Sequence, residues 1–409
     1  MIPPDAASVL ERLETCSRSA RAAAHGAPVE LYRRVTLKRR LRLESDGRLS
    51  LDEGRDEGTA ARVVAPEGGV GFAAMTGSTP ESVAALVARA TACPGSPSEE
   101  VCWARGSGSR IEDLTGAPEP ETAEALRDSL RRCLGDRPDR AAAIRFESWI
   151  ESARTVEAWV ADGGLLAVRA RSRVWGMTHV PLMLDGHCQE RPRSVAAASL
   201  EELPSLVALE DDPRAEPRGD LRGFALVLTP PAAAVLVRSL ILTQFTPGPW
   251  SGNREVSLKI DDAPRDRRGL LGGRFDDAGF PTEPRPVSVG GRWVEPVTTL
   301  PVWRASFRDP PRVGPSTVVV QPGPFEAPPR ALRITDLRIH LRAARSWMLQ
   351  VCGRPWVDGA LAGGGVERFI SVTPDDLAHH LVALDEPPQA CPNSVITPSL
   401  VLAGGLREA

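Results

Sequence analysis

Val9, Leu10, Leu13 and Cys16 recur at helical spacing between charged positions, which predicts an amphipathic helix from Ala6 to Ala24. The period then changes to two. From Leu31 to Glu44, Val35, Leu37, Leu41 and Leu43 point one way while Thr36, Lys38, Arg40 and Arg42 point the other, as in a half-buried strand whose basic face is solvated. Asp46-Gly47 supplies a turn, and Ala60–Ala65 and Val70–Ala74 continue as strands. Ser78-Thr79-Pro80 announces a helix over Glu81–Ala92.

The stretch from Cys93 to Pro120 is rich in Pro, Gly and Ser and reads as a surface excursion. Glu121–Leu134 is a further helix, acidic early and basic late in keeping with the helix dipole. Three alternating stretches between Ile144 and Trp175 fit an antiparallel meander, and Ala196–Leu203 is a short helix candidate stopped by Pro204. The charged run Glu210–Arg222, broken by Pro213 and Pro217, marks the best boundary, giving domains of residues 1–209 and 222–409. Beyond it an apolar segment, Phe224–Phe245, contains a helix candidate at Pro231–Phe245. Short β stretches follow, such as Val318–Gln321, Ala331–Leu341, Trp347–Val351 and Leu400–Leu402. The expected class is α+β: N-terminal helices on one side of a mainly antiparallel sheet, then a mainly-β domain with a buried helix.

At 409 residues the chain is long enough for two substantial cores. A net charge of −3 argues against a general nucleic-acid binder, and the basic stretch Arg34–Arg42 lacks the interleaved aromatics of an RNA-binding surface, Tyr32 being the one tyrosine of the chain. The apolar runs are too short to span a bilayer, and residues 1–5 lack a signal-peptide layout, so the cytoplasm is the expected compartment. Seven scattered cysteines without C-x-x-C spacing read as reduced thiols. His179 and His187, and the neighbours His379 and His380, have no zinc-binding spacing. The pairs Asp261-Asp262 and Asp276-Asp277 are read as turn formers and caps, with a magnesium or calcium site as the alternative.

Several short motifs recur in a definite order. Glu57-Gly58, Arg62-Val63 and Gly71-Phe72-Ala73 precede the helix at Glu81. Asp261-Asp262-Ala263-Pro264 and the run Phe275–Thr282 come later, followed by Gly314-Pro315-Ser316 and Gln321-Pro322-Gly323. Cys391-Pro392-Asn393-Ser394, Pro398 and Ala403-Gly404-Gly405 close the chain. In order and spacing these resemble the TldD/PmbA metallopeptidase family, with Ala278 where the family's F-D-x-E-G signature has glutamate.

In the catalytic partner of that family's pair, the helix corresponding to Pro231–Phe245 carries His-Glu-x-x-x-His. The resemblance sets Arg238 at the first histidine, Ser239 at the glutamate and Thr243 at the second histidine. None can do the replaced job, because zinc prefers imidazole, thiolate or carboxylate. Cys391 aligns with the partner's third zinc ligand. By itself it reads as a buried small side chain or a nucleophile, and the resemblance implies a vestigial ligand facing a cleft near that helix.

The resemblance therefore implies a TldE (PmbA)-like, non-catalytic subunit with no catalytic residue and no metal of its own. It would pair with a TldD-like chain that supplies zinc, on peptides or amide-linked intermediates of natural-product maturation, with no nucleic acid or membrane partner. The alternatives are a stand-alone hydrolase or transferase using Cys391 or Ser239, and a regulatory protein-binding subunit.

Overall fold

The protein was analysed as a computed structural model, which describes residues 5–44, 46–64, 69–93, 110–114, 121–134, 148–162, 164–184, 187–197, 199–203, 224–245, 255–269, 273–274, 282–294, 317–343, 346–362, 364–391 and 393–402. The first part is one sheet carrying helices on a single face. Its strands are β1 (Val29–Leu43), β2 (Leu49–Val64), β3 (Val70–Thr76), β4 (Arg110–Asp113), β5 (Ser148–Ala161), β6 (Leu166–Leu184) and β7 (His187–Ala197). They lie in the order β3-β2-β1-β5-β6-β4, with β7 also on β6, and only β4 runs parallel to its neighbour.

Helices α1 (Ala6–Ala23) and α2 (Pro80–Ala92) bury Leu10, Leu13, Val83 and Val87 against Leu31, Val35, Val63 and Val156. Farther along the same face, α3 (Ala123–Leu134) packs Leu126 and Leu130 on Leu41, Ile150 and Val174. The capping box of Thr79 and Ser82 fixes the start of α2, as the Ser-Thr-Pro signal predicts.

Three expectations are corrected. β2 begins at Leu49, well before Ala60, although Asp52–Glu57 is charged and contains Gly54. Cross-strand ion pairs with β1 support it: Lys38 with Asp56 at 2.9 Å, Arg39 with Glu53 at 2.5 Å and Arg42 with Asp52 at 2.9 Å. Of Ile144–Trp175, the part described, from Ser148 on, holds the two strands of the long β5–β6 hairpin, and β6 runs on to Leu184 to pair with β7. The helix expected at Ala196–Leu203 is the end of β7 followed by a turn, because pairing with Val174 and Trp175 claims Ala197 and Ala196. A short strand, β4, also lies inside the Cys93–Pro120 excursion.

Gly71 has a close-packing role. A Cβ there would lie 1.7 Å from the carbonyl oxygen of Ala90, so α2 rests directly on the backbone of β3. Gly71→Ala should cost roughly 1–3 kcal/mol or more by forcing the helix outward. Chemical denaturation checks this, and an unchanged midpoint would remove that role from Gly71.

Residues 224–402 form the second part. Strand β8 (Ala225–Leu228) leads into α4 (Pro230–Phe245). Next come β9 (Ile260–Asp262), β10 (Arg285–Pro286), β11 (Ser288–Val289), β12 (Arg292–Trp293), β13 (Val318–Val320), β14 (Arg330–Ala343), β15 (Ser346–Val357), β16 (Ala360–Leu361) and β17 (Val366–Val372). Helix α5 (Pro374–His380), β18 (Leu381–Ala383), β19 (Gln389–Cys391), β20 (Val395–Thr397) and β21 (Leu400–Leu402) complete it. One sheet runs β16-β15-β14-β8-β21-β18 with β17 on β15, and a second runs β10-β9-β13-β20-β19. A single apolar core joins α4 to both, drawing in Leu236, Val237, Ile241, Ile260, Val318 and Leu349.

The class is α+β with mainly antiparallel sheets, as the alternation of periods predicts. The boundary expected at Glu210–Arg222, the division into residues 1–209 and 222–409, and the Asp276-Asp277 pair with Ala278 lie outside the described residues. No helix among the described residues is long and apolar enough to cross a membrane.

Candidate functional site

Helix α4 is seated by its first turn. The N–H and the hydroxyl of Thr229 both donate to the Ile334 carbonyl at 2.9 Å, and the Thr229 carbonyl accepts from the Ala233 N–H at 2.8 Å. Pro230 and Pro231 suit positions whose N–H groups have no partner within a helix. Most of the circumference is core: Ala232, Ala233, Leu236, Val237, Leu240 and Ile241 are buried. Pro231, Val235 and Leu242 are exposed and Arg238 is half-buried. Steps of four, three and four place these last residues in one stripe along the helix. Arg238 is thus the one charged residue in the sequence of α4, within an apolar, partly exposed strip, and Ser239 beside it is buried at 4 % exposure.

The charge of Arg238 has a counterpart on β9. Burial lowers the arginine's pKa, and the carboxylate of Asp262 opposes that shift. Asp262 is itself 3 % exposed. Its Oδ1 accepts from the Thr317 N–H at 3.2 Å, and its Oδ2 lies 3.6 Å from Nε of Arg285. The buried carboxylate therefore holds the Thr317 amide and the Arg285 guanidinium directly, and its charge acts on Arg238 from β9. This corrects the reading of Asp261-Asp262 as turn formers: both lie on strand β9, where Asp262 pairs with Val318 and Arg285, and Asp261 accepts from Gln321 Nε2 at 2.8 Å.

These residues do not fit a zinc ion. Zinc needs neutral imidazole, thiolate or carboxylate donors with free lone pairs. Here a fixed guanidinium charge stands on the helix, and the nearby carboxylate is engaged by arginines. Among the described residues, no group of three His, Cys, Asp or Glu side chains is placed to hold a metal ion. Thr243 continues the helical backbone of α4, and its side chain lies outside the described residues.

Cys391 ends β19 and belongs to the same core as Ala234, Val237 and Ile241 of α4. The segment after it is tied to the helix, because Asn393 Nδ2 donates to the Ala234 carbonyl at 2.9 Å. The thiol does not face an open cleft. It is 3 % exposed, lies 3.7 Å from the Gln389 carbonyl as a weak donor, and burial pushes its pKa up to about 12. A thiol held protonated at neutral pH is a poor nucleophile, which weighs against a hydrolase built on Cys391. Brief alkylation of the folded protein at neutral pH should label the exposed Cys93 and spare Cys391. Peptide mapping reads the result, and early modification of Cys391 would show an activated thiolate.

His379 and His340 lie on the surface. His379 Nδ1 lies 3.8 Å from Glu255 Oε2 with both side chains exposed, and His340 bonds to Gln350 at 2.5 Å on the surface. Sequence reasoning missed Asp262 as the counter-charge and Thr229 and Asn393 as anchors. An adjacent acidic pair looks like a turn until strand pairing shows one member buried.

The architecture defines a class: an α+β protein in which a helix-backed antiparallel sheet precedes a mainly-β unit wrapped around one apolar helix. That fold is shared by solved structures over almost the whole chain. A proposed modulator of a DNA gyrase from Thermotoga maritima matches with a TM-score of 0.74 at 17% identity, covering 95% of this chain and 98% of that one. A second proposed modulator of DNA gyrase, from Bacteroides thetaiotaomicron, gives 0.71 at 13% identity, covering 96% and 98%. TldE from Thermococcus kodakarensis gives 0.73 at 13% identity, covering 97% of this chain and 100% of its own. No family model matches the sequence, and no curated protein matches it. At these identities the likeness establishes the fold.

Proposed function

We propose that this chain is the zinc-free, TldE-like subunit of a two-chain metallopeptidase. The observation that carries the reading is Arg238 on α4, set against the buried Asp262 in a fold shared with TldE. A permanent cation there supplies the positive charge a metal would bring, without its Lewis acidity or its bound water. A TldD-like partner would supply zinc and the glutamate base, and this chain would complete the chamber wall and orient the substrate. The substrate class is small or unfolded peptides, or amide-linked intermediates of antibiotic or peptide maturation, handled in the cytoplasm.

Protein purified without a partner should contain no stoichiometric zinc by metal analysis, and one tightly held zinc per chain would sink the reading. Co-expression with a His-Glu-x-x-x-His chain should yield a stable complex on size exclusion. The triple variant Arg238→His, Ser239→Glu, Thr243→His should gain zinc affinity without peptidase activity, because the residues that orient ligands around a working zinc are missing.

A further inference from the structure

The face of the first sheet turned away from its helices is an ordered lattice of arginine, tryptophan and carboxylate. Strand register sets its rows. Arg34 stands opposite Glu157, which stands opposite Arg169. In the next row Thr36 and Thr155 touch through their hydroxyls at 3.0 Å, beside Arg171. The third row holds Lys38, Ala153 and Arg173. Small side chains thus form a floor at the centre, and cations stand around it. The basic face expected to be simply solvated is in fact half-buried and structured.

The carboxylates of these central strands are already engaged. Glu157 accepts from Tyr32 at 2.6 Å, Arg169 at 2.6 Å and Arg171 at 3.2 Å. Glu151 takes both Nε and a terminal nitrogen of Arg40, at 2.9 and 2.7 Å. Asp56 holds Lys38 and Asp52 holds Arg42. Among the described residues, Arg34 and Arg173 form no ion pair. Arg34 is exposed; burial disfavours the charge on Arg173, the Glu151 carboxylate favours it, and the like charge of Arg34 acts against it. Tryptophans hold the guanidinium planes in place: Arg173 lies 3.8 Å from the Trp175 ring centre, Arg40 4.4 Å from Trp149 and Arg169 4.8 Å from Trp159. Such stacking pre-organises donors for a planar acceptor. At the edge of the same face, Phe72 of β3 is 65 % exposed beside Arg62.

We infer that this face, centred on Arg34 and Arg173 over the Thr36–Thr155 floor, docks an acidic polypeptide segment through discrete carboxylates, with Phe72 as an apolar contact at its rim. Guanidinium pairs suit carboxylates, which they bind with two parallel hydrogen bonds. A polynucleotide fits worse for two reasons. Glu157, Glu151 and Asp56 alternate with the cations and would repel an unbroken line of phosphates, and the three tryptophans already carry guanidinium groups where bases would stack. The inference does not depend on a zinc-bearing partner, because the surface lies wholly within this chain.

The test uses the full-length chain alone and a short labelled Glu/Gly peptide with one Phe, read by fluorescence anisotropy at low salt. Binding should weaken as salt rises, since the contact is electrostatic and partly exposed. Arg34→Glu should weaken it about tenfold or more, and Arg173→Gln should act in the same direction. Arg292→Glu, an equal charge reversal at the exposed start of β12 elsewhere, should leave it unchanged, and circular dichroism confirms that each variant is folded. The inference is overturned if wild-type protein does not bind the peptide, if the Gln-for-Glu peptide binds equally well, if Arg34→Glu has no effect, or if a dT oligonucleotide of equal length binds more tightly.

Discussion

Asp262→Ala should destabilise the chain by about 3–5 kcal/mol, the usual consequence of removing one partner from a buried charge cluster. The loss comes chiefly from what remains. Arg238 and Arg285 would keep their charges in a region that burial has desolvated, and the Thr317 amide would lose its acceptor. Both guanidinium groups keep some access to solvent, which places the effect toward the low end of that range. Arg238→Met should cost much less, because Asp262 would still hold Arg285 and Thr317. In a double-mutant cycle Arg238→Met should recover part of the Asp262→Ala loss, with a coupling of roughly 0.5–3 kcal/mol. Urea unfolding of the four proteins measures it. An Asp262→Ala variant within about 1 kcal/mol of the parent would mean that solvent, and not this carboxylate, balances the arginines.

Omitting this chain from a reconstituted pair should lower hydrolysis of an unfolded peptide by ~100-fold or more, since a substrate held loosely loses the gain from orientation. Cys391→Ala in the same pair should leave the rate within a few-fold of the parent. Burial holds the thiol's pKa up at about 12 and it bonds only weakly to the Gln389 carbonyl, which weighs against a proton-transfer or nucleophilic part. The two measurements separate the rival readings. Full activity without this chain would overturn the proposal that it completes a chamber. A large loss on Cys391→Ala, with folding intact, would restore the thiol as a participant.

The helices and most strands of the first sheet are legible because burial on one face imposes a period that polar residues respect. Val9 to Cys16 and Val35 to Leu41 show it directly. Legibility failed where pairing replaced burial as the cause. The early half of β2 is a strand because β1 supplies opposite charges across from it, and no window of β2 alone contains that fact. The end of β7 has helix-compatible alanines and is a strand because β6 extends beside it. Of the candidate site only residue types were legible: arginine and serine at 238 and 239 do not bind zinc as imidazole and carboxylate do.

What the sequence determined by itself was local: the two periods, the caps, the apolar α4, and residue types at Arg238 and Ser239 that cannot bind zinc as imidazole and carboxylate do. Tertiary structure decided which charges meet. The charge of Asp262 acts on Arg238 only because β9 pairs with β13 in a sheet that shares one apolar core with α4. Arg34 comes near Arg173 only because β1, β5 and β6 align in one register. Electrostatic energy depends on distance and on the water displaced between groups, and neither is a property of separation along the chain.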